Sequence, residues 1–248
     1  MPPDKKRLIL VDGNSYAYKC FYAIRNLSTS RGVPTGAVFG FLKMTLKLIN
    51  DGVNTHIAVV FDSKEPTLRK KEYKEYKIQR EKMPEDLQKQ MQVIKDLLMT
   101  LGISVLELPG YEADDILATI ALRAEKEGIR SAILTGDKDM LQIVDDNISI
   151  ISSHREDLVY DREKVIERYG IEPGQITDFL ALMGDASDNI PGVLGIGEKT
   201  ALELVKKFGS VENIYSKLDE IEKEKLKGVP TILERPLTKR FRREKTGE

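Results

Sequence analysis

Carboxylates recur at the ends of apolar runs along this chain. Asp12 directly follows Leu8-Ile9-Leu10-Val11, Asp62 directly follows Ile57-Ala58-Val59-Val60-Phe61, and Asp137 lies two residues past Ile133-Leu134-Thr135. The run at Val105 leads into Pro109-Gly110-Tyr111-Glu112-Ala113-Asp114-Asp115 and then an apolar helical pattern from Ile116, while Asp139 opens the next helical stretch. One aspartate at a strand end is usually a turn former or a helix cap. Seven on one sheet edge need another reason. Carboxylates about 4 Å apart at low dielectric repel by several kcal/mol, so the cluster is stable only with cations among the acids or with the acids protonated. All-oxygen donors select hard cations, and the expected ions are Mg²⁺ or Mn²⁺, two of them, with outer carboxylates holding their water. Gly184-Asp185-Ala186-Ser187-Asp188-Asn189 adds Asp185 and Asp188 and brings the candidate ligands to nine.

Two further stretches suit a phosphodiester. Thr67 to Arg80 interleaves basic residues with Tyr73 and Tyr76, and directly follows the strand-end Asp62. A charge run is more often a solvated helix face, but a cationic cover beside an anionic floor fits a nucleic-acid strand. Gly192-Val193-Leu194-Gly195-Ile196-Gly197-Glu198-Lys199-Thr200-Ala201 is no dinucleotide fingerprint, because the glycine order is wrong and no strand is expected before it. A glycine-tight turn between two helices aims free N–H groups at a backbone phosphate without reading bases, and Lys199 supplies charge beside it. The plainer reading is a helix-helix turn with a glycine cap.

The elements that must position these groups follow from periodicity. Short β-branched runs alternate with longer helical patterns, which predicts a mostly parallel sheet flanked by helices, Rossmann-like in class. Strands are expected at Leu8 to Val11, Ile57 to Phe61, Val105 to Leu108, Ser131 to Thr135 and Ile148 to Ser152, each buried on both faces. In such a sheet, ligands gather outside the carboxyl ends of the strands. The clearest helix begins at Pro84 and repeats Leu87, Met91, Ile94, Leu98 and Leu101 before Gly102. After about Asp161 strands are expected to cease, giving way to helices at Arg162 to Tyr169, Pro173 to Met183, Glu198 to Phe208 and Val211 to Leu218. The organisation is therefore an α/β core over 1–160 with a basic arch at about 64–84, a helical lobe over 161–227, and a poorly ordered basic tail over 228–248.

Composition narrows the function classes. The chain has 248 residues, is 41% hydrophobic and 32% charged, and carries 39 basic against 40 acidic residues. The near-zero net charge conceals segregation: Lys64 to Lys82 holds eight Lys/Arg against four Glu. One cysteine, Cys20, and two separated histidines, His56 and His154, leave no thiolate or imidazole zinc cage and disfavour a Ser/His/Asp triad. No apolar run is long enough for a membrane span and the first residues lack a signal-peptide core, so a cytoplasmic location is expected.

Together, Val11-Asp12-Gly13, Phe61-Asp62, Gly110-Tyr111-Glu112-Ala113-Asp114-Asp115, Thr135-Gly136-Asp137-Lys138-Asp139, Gly184-Asp185 with Ser187 to Val193, and Gly195 to Ala201 resemble the 5′-nuclease domain of bacterial DNA polymerase I and the flap endonuclease superfamily. The resemblance implies a PIN-like α/β core, a helical lobe with a helix-three-turn-helix element, and a divalent-metal nuclease cutting DNA at 5′ flaps and 5′ ends to leave 5′-phosphates. It implies metal roles, direct or through water, for Asp12, Asp62, Glu112, Asp114, Asp115, Asp137, Asp139, Asp185 and Asp188. Lys77 and Arg80 match arch bases that approach the scissile phosphate, Arg69 and Lys70 lie in the same threading region, and Lys19 matches a basic residue near the site. The turn containing Gly195, Gly197, Lys199 and Thr200 matches the duplex-binding element, where a K⁺ ion often bridges to a phosphate. Replication primer removal and repair are the implied setting, with a linked or separate DNA polymerase as partner and a monomeric chain. A binding-only DNA module, which needs no nine acids, and an RNA-directed nuclease of related fold, which needs no duplex turn, are the alternatives.

Overall fold

The apolar runs pair as strands in a computed structural model that describes residues 6–155 and 158–217. The expected basic tail at 228–248 and Leu218, the expected end of the last helix, lie outside the described residues. Two units separate: one runs to Glu72 and resumes over Glu81–Arg162, and the other comprises Tyr73–Arg80 and the chain from Glu163 onward. The basic stretch expected as one arch on the α/β core is thus divided, its middle belonging to the helical unit.

In the first unit, β1 (Arg7–Asp12), β2 (His56–Val60), β3 (Ser104–Leu106), β4 (Arg130–Thr135), β5 (Ile148–Ser152) and β6 (Val159–Tyr160) form a sheet in the order β3-β2-β1-β4-β5-β6. β1 to β5 are parallel and β6 is antiparallel to β5. The two-residue β6 is too short to carry a periodic signal and was not expected. β3 also departs from expectation: as an edge strand paired only with β2, it has Ser104 exposed and Val105 and Leu106 half-buried, and it stops before Leu108, which is exposed.

The helices α1 (Gly13–Ala23), α2 (Gly36–Asn50) and α4 (Glu85–Thr100) bury Tyr16, Phe41, Leu87, Ile94 and Leu98 against Val11, Val59 and Leu134 of the sheet. Pro84 stands at the N-cap of α4 and not inside it, where its missing N–H costs nothing. The expected stripe holds at Leu87, Ile94 and Leu98 but ends there, since Leu101 is exposed past the last turn. α5 (Ala113–Lys126) packs on β1 and β4 through a separate set including Leu117 and Ala121. A short α3 (Leu68–Glu72) follows β2, and a 3₁₀ helix (Lys138–Ile143) follows β4.

In the second unit, α6 (Arg162–Tyr169), α7 (Ile176–Met183), α8 (Glu198–Phe208) and α9 (Val211–Ser216) bury Leu182, Leu204, Val205 and Ile214. The helix expected over Pro173 to Met183 is a 3₁₀ turn at Pro173–Gln175 followed by α7. Strands do not cease after Asp161: β7 (Gly184–Asp185) and β8 (Ile190–Pro191) make a small antiparallel hairpin between α7 and α8. No helix among the described residues is long and apolar enough to cross a membrane.

Candidate active site

Asp12 is the last residue of β1 and also the N-cap of α1. Its Oδ1 accepts from the Ser15 N–H at 2.9 Å, and its Oδ2 accepts from Thr135 Oγ1 at 2.9 Å. The side chain is almost fully buried, and burial pushes its carboxyl up to about 6 from 3.8; the Ser15 and Thr135 hydrogen bonds oppose the rise, and the charges of Asp62 and Asp137 add to it. Strand ends β1, β2 and β4 are neighbours, so the parallel register brings these three aspartates to one edge. Asp62 Oδ1 accepts from the Ala113 N–H at 2.8 Å, at the start of α5, while its own N–H donates to Asn14 Oδ1 at 3.2 Å. Asp137 caps the 3₁₀ helix by accepting from the Asp139 N–H at 2.9 Å, and its own N–H donates to Thr135 Oγ1 at 3.1 Å. Asp12 and Asp137 are both helix caps, as a lone strand-end aspartate usually is.

Glu112 stands at the N-cap of α5, 6% exposed, and its N–H donates to Asp115 Oδ2 at 3.1 Å. The positive end of the helix stabilises both carboxylates. Arg69, on α3, bridges them: Nη1 lies 3.1 Å from Glu112 Oε2 and 3.1 Å from Asp115 Oδ2, and Nη2 lies 2.5 Å from Asp115 Oδ1. Thr67 Oγ1 donates to Glu112 Oε1 at 3.3 Å. Asp114 and Asp139 occupy the first turns of α5 and the 3₁₀ helix, both half-buried. The expected convergence of seven acids is therefore looser than a cage: among the described residues, no three His, Cys, Asp or Glu side chains stand close enough to hold one ion together. Mutual repulsion, and the guanidinium seated on Glu112 and Asp115, account for the spacing.

In the helical unit, Asp185 lies on β7, buried, and accepts from the Ser187 N–H at 2.7 Å. Asp188, 7% exposed, is a hub. Tyr76 Oη donates to its Oδ2 at 2.9 Å, Lys77 Nζ lies 3.4 Å from Oδ2, Arg80 Nη2 lies 3.0 Å from Oδ1, and the Lys77 N–H donates to its carbonyl at 3.1 Å. The cations expected to face a phosphate are paired with an acid expected to face a metal. Sequence reasoning gave Asp188 a single role because nothing in spacing links residue 188 to residues 76–80.

The remaining candidates sit as follows. Lys19, on α1, lies with its Nζ 4.7 Å above the Tyr16 ring. Lys70 is exposed on α3. Gly195 has φ +84, a backbone open to glycine and costly to others, and Gly197 caps α8 with Lys199 exposed and Thr200 half-buried in its first turn. What precedes this turn is the β7–β8 hairpin, not the helical segment expected there. Asn14, Ser15 and the hydroxyl of Thr135 were missed, and Tyr76, read as part of the basic stretch, is a partner of Asp188. Asn14 and Ser15 lie two and three residues past Asp12, a cap position whose chemistry could have flagged Ser15.

Comparison with known proteins also divides the chain in two, with the boundary at residue 170 and residues 73–80 kept in the N-terminal part. The family model for the 5′-3′ exonuclease N-terminal resolvase-like domain matches residues 7–170, and that for the 5′-3′ exonuclease C-terminal SAM fold matches residues 171–235. The chain is 48% identical over 223 residues to a thermostable DNA polymerase I of Thermus thermophilus, covering 90% of this chain but 26% of the polymerase. It is 45% identical over 219 residues to a 5′-3′ exonuclease of Aquifex aeolicus, covering 88% of this chain and 75% of that one. The chain thus spans about a quarter of the polymerase's length and three quarters of the exonuclease's. In fold it is similar to the T5 5′-exonuclease solved with bound divalent zinc ions, at a TM-score of 0.69 and 24% identity over 87% of this chain and 79% of that one. With its strand-end acids set on this fold and family models matched along nearly all of its described length, the chain belongs to the 5′-3′ exonuclease family.

Proposed function

We propose that the chain is a divalent-metal, structure-specific 5′ nuclease that hydrolyses phosphodiester bonds of DNA at 5′ flaps and 5′ ends, leaving 5′-phosphates, in primer removal and repair. The observation that carries this reading is Asp12: a buried carboxylate flanked by Asp62 and Asp137 at three neighbouring strand ends, with its pKa pushed up to about 6. A cation among these acids relieves that cost, and an all-oxygen donor set suits Mg²⁺ or Mn²⁺. Asp12, Asp62 and Glu112, with Asp114 and Asp115, would hold one ion largely through water, and Asp137 and Asp139 would serve a second. Asp185 and Asp188 carry the metal role that the family motif gives them.

A bound dication supplies polarisation of the phosphate and acidifies water at neutral pH. The chain's own residues do the rest. The carboxylates fix where the scissile phosphate sits. Lys77 and Arg80 neutralise charge as it develops on the phosphoryl oxygens. Lys19, Arg69 and Lys70 hold the strand backbone, and the N–H groups of the Gly195 to Gly197 turn, with Lys199, Thr200 and a K⁺ ion, hold a duplex phosphate. The same reading has the chain act as a cytoplasmic monomer beside a DNA polymerase, linked or separate.

A 5′-flap DNA duplex incubated with a Mg²⁺ or Mn²⁺ series, with product ends mapped, tests the proposal. Cleavage should require the ion and leave 5′-phosphates, and Asp12→Asn should bind the flap yet cut orders of magnitude more slowly. Binding without cleavage at every ion concentration would mean a DNA-binding module, and preference for a matched RNA flap would mean an RNA-directed nuclease.

A further inference from the structure

We infer that Arg69 is a positioning residue that acts as the internal counter-ion of Glu112 and Asp115, so that a divalent ion and the docked α3 compete for the same carboxylates. The inference rests on the metal reading above and adds a residue that sets how tightly the metal is held.

The contacts are specific. All four carboxylate oxygens of Glu112 and Asp115 accept a hydrogen bond: Oε1 from Thr67, Oε2 from Arg69, Oδ1 from Arg69, and Oδ2 from both Arg69 and the Glu112 N–H. Three of the donors come from Thr67 and Arg69 at the start of α3, and the Leu68 N–H adds a bond to the Gly110 carbonyl at 2.9 Å. The short helix is therefore docked on the turn that opens α5 by a backbone bond, a hydroxyl and a guanidinium. The five-residue α3 fully buries no side chain of its own, and these polar contacts tie it to that turn.

A planar guanidinium spans two carboxylates with a fixed fork of donors, a geometry that a compact ammonium does not reproduce. A dication at these acids would compete with Arg69 and Thr67 for the same carboxylate oxygens, and its charge would repel the guanidinium. Ion entry at Glu112 or Asp115 would then drive the guanidinium off, and displacement removes one of the tethers of α3. Metal uptake would release Arg69 and α3, making the cations of that helix available to a nucleic-acid backbone when the metal is in place.

The test is a Mn²⁺ titration by calorimetry of the full chain, wild type against Arg69→Gln, Arg69→Lys and Lys70→Gln, with hydrogen exchange of residues 67–72. Arg69→Gln should bind Mn²⁺ about tenfold more tightly, and Arg69→Lys, which keeps the charge but loses the fork, at least about threefold. Lys70→Gln, which removes a charge from the same helix but no contact to the acids, should change affinity by less than about twofold. In the wild type, Mn²⁺ should speed exchange across residues 67–72. Arg69→Lys matching the wild type, or exchange that slows or stays constant on adding Mn²⁺, overturns the inference while leaving the metal reading intact. Absence of Mn²⁺ uptake by both wild type and Arg69→Gln overturns the metal reading and this inference with it.

Discussion

Thr135 Oγ1 donates to Asp12 Oδ2 at 2.9 Å, tying together the last residues of the neighbouring strands β4 and β1. The same hydroxyl accepts from the Asp137 N–H at 3.1 Å, so one threonine links the backbone or side chain of two acids at the strand ends. The bond favours ionised Asp12, but burial outweighs it. The edge is thus held at an energetic cost that a cation would offset.

The cost sets a pH dependence. Asp12 has a folded pKa of about 6 against an ordinary 3.8, so between those values the folded state keeps a proton that the unfolded state has released. Stability of the metal-free protein should therefore fall as pH rises through that window, by up to about 3 kcal/mol from this group, and stay at the lower level above it. Asp12→Asn removes the contribution. Urea unfolding in EDTA should find the variant about 1–3 kcal/mol more stable than wild type at pH 8 and about equal at pH 4. An equal difference at both pH values would mean that the carboxyl is not titrating in this range.

The hub at Asp188 makes a second prediction. Its side chain is met by Tyr76, Lys77 and Arg80, Lys77 holds a left-handed φ of +52, and Asn189 Nδ2 donates to the Glu75 carbonyl at 2.8 Å. Tyr76→Phe leaves the ring buried but removes one charge-assisted bond, at about 1–2 kcal/mol. Asp188→Ala removes the carboxylate that faces the largely buried Lys77 ammonium as well as the Arg80 and Tyr76 contacts, and should cost more, about 2–4 kcal/mol. Both should speed tryptic cleavage at Lys77 and Arg80, Asp188→Ala more. If neither substitution alters the cleavage rate, the carboxylate does not hold this segment.

The sheet and its acid edge were legible because both signals are local. A strand end followed by an acid, as at Val11-Asp12 or Phe61-Asp62, needs no knowledge of distant residues, and parallel topology then places the ends together. What was not legible came from partners far apart in sequence: Thr135 on Asp12, Arg69 on Glu112, and Tyr76 on Asp188. No periodicity encodes such pairs. The β7–β8 hairpin escaped because two-residue strands have no alternation to read, and the exposure of β3 depended on its edge position.

Gln90 is another long-range partner. It is 3% exposed on α4, and its Oε1 accepts from the Ala37 N–H at 2.8 Å and the Val38 N–H at 3.3 Å, at the first turn of α2. Thr35, the N-cap of α2, makes no side-chain capping bond, so Gln90 supplies the cap from a neighbouring helix. Gln90→Leu keeps the volume and leaves buried N–H donors unmet, which should cost about 2–3 kcal/mol, whereas Gln90→Glu, which keeps the acceptor, should cost less. Chemical denaturation of the two variants compares them directly. A Gln90→Leu protein as stable as wild type would show that water caps the helix instead.

Gly184 separates backbone strain from close packing. It ends α7 with φ +81, and a Cβ there would lie 2.3 Å from the Gly192 nitrogen and 2.8 Å from the Ile190 carbonyl oxygen, both backbone atoms of the facing hairpin strand or its end. Gly52 has a similar φ of +67 with nothing within 4 Å of the same position. Left-handed backbone alone costs a non-glycine residue about 1–2 kcal/mol, so Gly52→Ala should lose about that much. Gly184→Ala carries the same term and must also push two backbone segments apart, with no flexible side chain to absorb the shift, so its loss should exceed about 3 kcal/mol. Because Asp185 follows directly and the hairpin pairs it with Ile190, the displacement also moves that carboxylate. The nuclease activity proposed above should then fall at temperatures where the variant is still folded by circular dichroism, while Gly52→Ala should leave it unchanged. Equal stability losses in the two variants would mean that the hairpin yields to the added methyl group and that its close approach does not fix Asp185.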